Sequence, residues 1–218
     1  KCERILQEKI RYRWMNSGVT FLDPSTAYLS EETIFGRDII VEPNTHFHGK
    51  CIIGDGCRIG PDSVIIDSTI EQNVKVIKSV VEESKVGKES TIGPFSHLRP
   101  ESVIDQKVKI GNFVEIKKSY IGKETKVSHL SYLGDAKVGE QVNIGAGTIT
   151  ANYDGISKNK TVIGALSKTG ANTVLIAPII LGSKVTVGAG STISKDISNG
   201  ALVVARPKAI IKNEWKKL

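Results

Sequence analysis

Long apolar runs are missing from this 218-residue chain, so no stretch is sized to cross a bilayer as a helix. No signal peptide is expected either, since the first residues lack its apolar stretch. Aromatic residues make up only 6% of the chain, and the 30 lysines and arginines are scattered among few of them. A net charge of +7 therefore does not read as a nucleic-acid surface. Cysteine is limited to three residues, an odd number that argues against a disulfide framework. No Gly-rich nucleotide-binding loop is found. The chain opens at Lys1 without a methionine, which points to a piece of a longer protein, and the expected compartment is the cytoplasm.

What the chain has instead is a six-residue beat: an aliphatic residue followed by Gly or a small polar residue, as in IGDGCR from Ile53, VGKEST from Val86, IGNFVE from Ile110 and VGAGST from Val187. From Val86 the leading position falls on Ile92, Leu98, Ile104, Ile110 and Ile116. It shortens by one residue to Ile121, resumes at Val127 and Leu133, and shortens again to Val138 and Ile144. A last run takes in Ile163, Thr169, Leu175, Leu181, Val187 and Ile193. The residue four places on is small (Cys57, Ser63, Ser90, Ser96, Val114, Thr148, Ser191), as a corner requires. Cys51 and Cys57 then read as compact core side chains.

Each hexad supplies a short strand and a turn, and three make one coil of a parallel β-helix. The beat covers residues 34–198. At about eighteen residues and ~4.8 Å per coil it predicts roughly nine coils and a triangular prism about 45 Å long. The fold class is all-β, and the register excludes an antiparallel sandwich, which keeps no strict six-residue step.

Three segments break the beat. Residues 1–17 carry Ile5, Leu6, Ile10 and Trp14 at a spacing that predicts a helix with one apolar stripe, leading into the prism at 18–200. Residues 151–161, ANYDGISKNKT, are polar and turn-rich and must loop out, where a solenoid commonly places its binding surface. The tail at 201–218, with Arg206-Pro207 and IIKNEWKKL, predicts a short basic helix or arm.

Charged and polar residues concentrate before the loop, in PFSHLRP (94–100), NFVEIKK (112–118), SHLSYLGDA (128–136) and VNIGAGTITANYDG (142–155). Arg99 and Lys117 lie eighteen residues apart, so they share a corner of adjacent coils, and two stacked cations suit a phosphate. The basic excess thus fits a phosphorylated or coenzyme A-type anionic substrate. His129 is a natural proton acceptor near neutral pH. His46 and His48 lie on one side of a strand without a third ligand at a matching position.

These segments, in this order and at these intervals, resemble the acetyltransferase domain of the bifunctional enzymes that make UDP-N-acetylglucosamine, in which glucosamine-1-phosphate N-acetyltransferase is joined to N-acetylglucosamine-1-phosphate uridyltransferase. The resemblance runs from the first helix to about Trp215. It implies a left-handed prism, a homotrimer with sites between subunits, and acetyl-CoA as co-substrate. Mg²⁺ and uridyltransferase activity would belong to an N-terminal domain outside this sequence. Neither nucleic acid nor membrane is an expected partner.

Carried over residue by residue, His129 is the general base. Arg99, Lys117 and Lys158 hold the sugar phosphate, and Tyr132, Asn143 and Asn152 place the sugar, with Glu115 nearby. Ala146, Asn152, Tyr153, Ala171, Ala189 and Arg206 line the coenzyme. Relatives commonly carry Ser or another small residue at the position of Ala171; a contact through a hydroxyl there would be lost, at about 0.5–1.5 kcal/mol. An amine attacking a thioester needs a base, an oxyanion donor and positioning, and no metal. A backbone amide of Gly145-Ala146-Gly147 is the expected donor. Two other classes are compatible with a regular prism: a hexapeptide carbonic anhydrase, which needs three grouped histidines from among His46, His48, His97 and His129, and a non-catalytic β-helix scaffold.

Overall fold

In the computed structural model, which describes residues 2–213, the chain winds as a left-handed parallel β-helix of about ten coils. Thirty short strands form three parallel sheets of eleven, ten and nine strands, which are the flat faces of the prism. Each coil visits the first, second and third sheet in turn, beginning with Thr20–Phe21, Tyr28–Leu29 and Ile34–Phe35. The hexad dictates this arrangement because its leading aliphatic is the inward residue of each strand. Every leading position from Val86 to Ile193 is buried, from Ile92, Leu98 and Ile116 to the threonine at 169. Fully burying each such side chain is worth about 1.5–3 kcal/mol.

The prism is longer than the beat at both ends. Its first coil starts at Thr20, where the short 3₁₀ turn Pro24–Thr26 stretches the step from Phe21 to Leu29 and hides the hexad. At the other end Leu202–Val203 pairs with Thr186–Val187, so the first sheet extends into the segment read as tail. Residues 204–212 have no regular secondary structure, and the last part of the expected helix or arm, 214–218, lies outside the described residues. The five-residue steps fall at second-to-third-sheet corners turned by a single left-handed residue, such as Lys118 (φ 48) and Asp135 (φ 49). Small corner residues satisfy the next coil, as where Ser79 Oγ accepts from the Ser96 amide. Cys51 and Cys57 are buried free thiols that donate to the carbonyls of His48 and Glu71.

Helix α1 (Cys2–Asn16) covers the open end of the prism with a narrower stripe than Ile5, Leu6, Ile10 and Trp14 predict. Ile10 is buried and Trp14 packs edge-on against Phe35 at 5.3 Å, whereas Ile5 and Leu6 are exposed. The third contact is polar. Gln7 is buried, donates to the Leu29 carbonyl at 2.8 Å and accepts from the Leu29 amide at 2.9 Å. It thereby closes the edge-strand hydrogen bonds that an apolar residue would leave open.

Candidate active site

Two groups of expected site residues are brought together by the coil register. The first is a column on the corner between the first and second sheets. Val127 pairs with Ile144, Asn143 with Lys168 and Thr169 with Val187. His129, Ala146, Ala171 and Ala189 therefore occupy the same place in four successive coils, two residues beyond each strand's core residue. Spacing of ~4.8 Å makes the column about 14 Å long. His129 is exposed at its head. Arg206 closes its foot, donating from Nη1 to the Ala189 carbonyl at 2.7 Å. Beside the column runs a second file of left-handed residues: Phe95 and Phe113 toward the N-terminus from His129, Leu130 in its own coil, and Gly147, Asn172 and Gly190 toward the C-terminus. The corner is thus open and small-featured below His129 and walled above it, where Phe95 and Phe113 stack with centroids 5.6 Å apart.

The expected oxyanion donors are also sorted. The Gly145 amide donates to Thr169 Oγ1 at 2.9 Å and is already engaged. Among the described residues, the amides of Ala146 and Gly147 have no hydrogen-bond partner within the chain.

The second group is a cationic cluster at the far end of the second sheet. Arg99 and Lys117 stand in adjacent coils. Arg99 Nη1 donates to Glu115 Oε1 at 2.7 Å, and that hydrogen bond holds the guanidinium still more firmly charged. Lys117 is shifted the other way. Lys158 first, then partial burial and Arg99, push its pKa below the ordinary lysine value, with Asp135 opposing them. Tyr132 pairs with Glu115 on the same sheet.

Lys158 arrives on the loop at 151–161, which leaves the prism at the corner beyond Lys117. Asn152, buried at the loop's base, donates from Nδ2 to Asp135 Oδ2 at 2.6 Å, and the Asn159 amide donates to the Asn152 carbonyl at 2.7 Å. Tyr153 and Lys158 form an antiparallel bridge across the loop, and Tyr153 Oη donates to the Gly155 carbonyl.

Not every expected residue joins these groups within one chain. Asn143 lies on the first sheet, between Lys126 and Lys168, in a shallow depression of about 630 Å³ also lined by Lys107 and Gln141. It is separated from Arg99, Lys117 and Tyr132 by the His129 corner. A second depression of about 360 Å³, lined by Tyr120, Asp135 and Lys160, faces the third sheet. Neither contains His129 or Arg99, because a prism corner is convex. The histidines do not gather: His46 and His48 pack with Tyr28 at 5.9 Å. No group of three or more His, Cys, Asp or Glu among the described residues could hold a metal ion. Among the described residues, no helix is long and apolar enough to cross a membrane.

Sequence reasoning passed over two residues in SHLSYLGDA. Asp135 carries Asn152. Gly134 leaves room for its neighbours, since a Cβ there would stand 2.4 Å from Tyr132 Oη and 2.7 Å from Asn152 Nδ2. The signal was their place beside Tyr132, but only the loop's return shows what they touch.

The model of the bacterial transferase hexapeptide (six repeats) family matches residues 32–67. Among solved structures, Arabidopsis UDP-N-acetylglucosamine acyltransferase superposes with a TM-score of 0.63 at 18% identity, covering 82% of this chain and 69% of that one. The Francisella novicida enzyme of the same name gives 0.51 at 14% identity, over 83% and 66%. At such identities the likeness is one of fold. The chain is a hexapeptide-repeat protein of the left-handed β-helix class.

Its sequence relatives are more specific. The chain is 60% identical over 215 residues to the bifunctional protein GlmU of Prochlorococcus marinus (strain MIT 9313) and 55% identical to that of Synechococcus sp. (strain CC9605). Each match covers 99% of this chain and 48% of the relative. The chain is thus related to GlmU over nearly all of its own length and spans about half the length of the curated relatives it matches.

Proposed function

We propose that this chain transfers the acetyl group of acetyl-CoA to the 2-amino group of glucosamine 1-phosphate. The product, N-acetylglucosamine 1-phosphate, would serve cytoplasmic UDP-N-acetylglucosamine synthesis. The observation that carries the reading is the register that puts His129 at the head of the Ala146–Ala171–Ala189 column, with Tyr132 leading from it toward Arg99, Lys117 and Lys158. A coenzyme arm along the column and a sugar phosphate at the cluster meet beside the imidazole.

In the reaction the amine nitrogen attacks the thioester carbonyl. The N–C bond forms, the C–S bond breaks, and His129 takes the nitrogen's proton and returns it to the departing sulfur. A positioned base of this kind contributes about 10²–10⁴ in rate. The free Ala146 amide, one coil from His129, is the oxyanion donor, and removing such a donor typically costs about 10²–10³ in kcat. A phosphate among Arg99, Lys117 and Lys158 offsets the mutual repulsion that lowers the Lys117 pKa.

The reading includes a homotrimer. Its support is the stacked Phe95–Phe113 ridge, more than half exposed beside His129, and the distance of Asn143 from the cluster in a single chain. In a trimer, Asn143 of one copy would complete the site of the next.

The test is coenzyme A release from acetyl-CoA with and without glucosamine 1-phosphate, for this chain and for His129→Ala. Release that needs the sugar phosphate and falls at least about a hundredfold in the variant is expected. A folded chain that releases no thiol under either condition refutes the reading.

A further inference from the structure

The loop at 151–161 carries an acidic residue that neither the proposed chemistry nor the phosphate needs, yet it is the most heavily hydrogen-bonded group of the loop. Asp154 Oδ1 accepts from the amides of Ile156 at 2.9 Å and Ser157 at 2.7 Å. Its Oδ2 accepts from Ser157 Oγ at 3.2 Å and Asn159 Nδ2 at 2.8 Å. The Asp154 amide in turn donates to the Ser157 carbonyl at 3.2 Å. Residues 156–159 are thereby gathered around one exposed carboxylate, and Lys158 is held inside that span.

Within residues 152–159 the gathered segment is tied to the prism through Asn152, while the loop's return is fixed separately by the Thr161 amide, which donates to the Asp135 carbonyl at 3.2 Å. Asn159 returns to the Asn152 carbonyl, and Asn152 is fixed to Asp135. Asp135 follows Gly134, the register partner of Lys117, and its amide donates to the Lys117 carbonyl at 3.1 Å. The Tyr153–Lys158 bridge completes the frame. Without the carboxylate, a lysine on a nine-residue excursion between the strands Ile149–Ala151 and Thr161–Ile163 would sweep a wide volume, and bringing it beside two other cations would oppose both entropy and charge.

We infer that Asp154 is a positioning residue, which folds residues 152–159 so that Lys158 is presented at the Arg99–Lys117 corner as the third cation for the substrate's phosphate. The inference rests on the proposed reaction. Asp154 itself stays out of contact with the phosphate, since its four acceptor positions are filled. Hydrogen bonding to the Ser157 and Ile156 amides, and then to Asn159, holds its pKa well below the usual carboxylate range, so the carboxylate keeps its charge and its grip throughout the working pH range.

The test compares Asp154→Ala, Asp154→Asn, Lys158→Gln and the Asp154→Ala/Lys158→Gln double variant. KM for glucosamine 1-phosphate should rise about tenfold in Asp154→Ala and in Lys158→Gln. The double variant should be no worse than the poorer single, because both changes remove the same interaction. KM for acetyl-CoA should stay within about twofold in Lys158→Gln. Asp154→Asn, which keeps an oxygen for the Ile156 and Ser157 amides, should recover most of the loss. Effects that multiply in the double variant would overturn the inference, as would an unchanged KM in Asp154→Ala.

Amide hydrogen exchange at Ile156, Ser157 and Asn159 reads the loop without any turnover. Faster exchange in Asp154→Ala is expected, and unchanged exchange would overturn the inference whatever the kinetics. If the unsubstituted chain fails to acetylate glucosamine 1-phosphate, the proposed function falls, while the exchange result still decides whether Asp154 holds the loop.

Discussion

Replacing Thr169 with Val tests whether the corner beneath His129 depends on a hydroxyl in the core. Thr169 occupies a leading hexad position that is aliphatic in the coils on either side, and it is buried. Thr148 Oγ1 donates its one hydrogen to the Gly145 carbonyl at 2.7 Å. The 2.9 Å contact between the two hydroxyls is therefore a hydrogen bond donated by Thr169. That leaves Thr169 Oγ1 free to accept from the Gly145 amide. Valine keeps the shape, removes this acceptor and leaves the amide at a half-buried corner without a partner.

The unsatisfied amide costs about 1–3 kcal/mol, and the extra buried methyl returns about 0.8 kcal/mol, so the amide outweighs the methyl. A net loss near 1 kcal/mol lowers Tm by about 2–4 °C in a chain of this size. Thermal unfolding followed by circular dichroism measures it. The same variant frees the turn that aims the Ala146 amide, so kcat should fall severalfold, while Thr169→Ser, which keeps the hydroxyl, holds kcat near the original. A Thr169→Val protein with equal or higher Tm and full kcat would refute the reasoning, since the hydroxyl pair would then be replaceable by packing alone.

Three further outcomes are expected. Gly134→Ala places a Cβ against the ends of Tyr132 and Asn152; both side chains can swing aside, so KM for glucosamine 1-phosphate should rise about tenfold with Tm nearly unchanged, and steady-state kinetics beside a melt would show an error if Tm fell instead. Lys117 has a folded-state pKa below its unfolded value, so its charged form is disfavoured by folding, and this cost is present at neutral pH and disappears as pH rises through the folded pKa toward the ordinary lysine value. The ligand-free Lys117→Gln variant should accordingly be at least as stable at pH 7, lose that advantage in alkaline melts, and gain less Tm than the parent from added glucosamine 1-phosphate. Burial raises the Cys51 thiol pKa and pushes that of Cys57 up to about 11, whereas Cys2 is exposed. Iodoacetamide at pH 8 should therefore label Cys2 alone until the prism is unfolded, and mass spectrometry finding carbamidomethyl groups on Cys51 or Cys57 of the native protein would contradict the packing.

By itself the sequence determined the prism, its core and the alignment of one coil on the next. The reason is that a parallel solenoid converts distance along the chain into position in space: an aliphatic residue every five or six places must face inward, and about eighteen residues later the chain has advanced one strand. Arg99 over Lys117 could be counted on that basis. Only the tertiary structure decided what lies outside the count. The 3₁₀ turn at Pro24–Thr26 hides the first coil, the tail's Leu202–Val203 joins the first sheet, and Gln7 replaces an apolar contact because it meets an open strand edge rather than a core. Asn143 belongs to a different face from Tyr132, since eleven residues carry the chain across the third sheet and around two corners. Lys158 reaches Lys117 because Asp154 and Asp135 fold and anchor a loop in which no periodicity operates. There the positions of side chains follow from hydrogen bonds between particular atoms, and spacing along the chain carries no record of them.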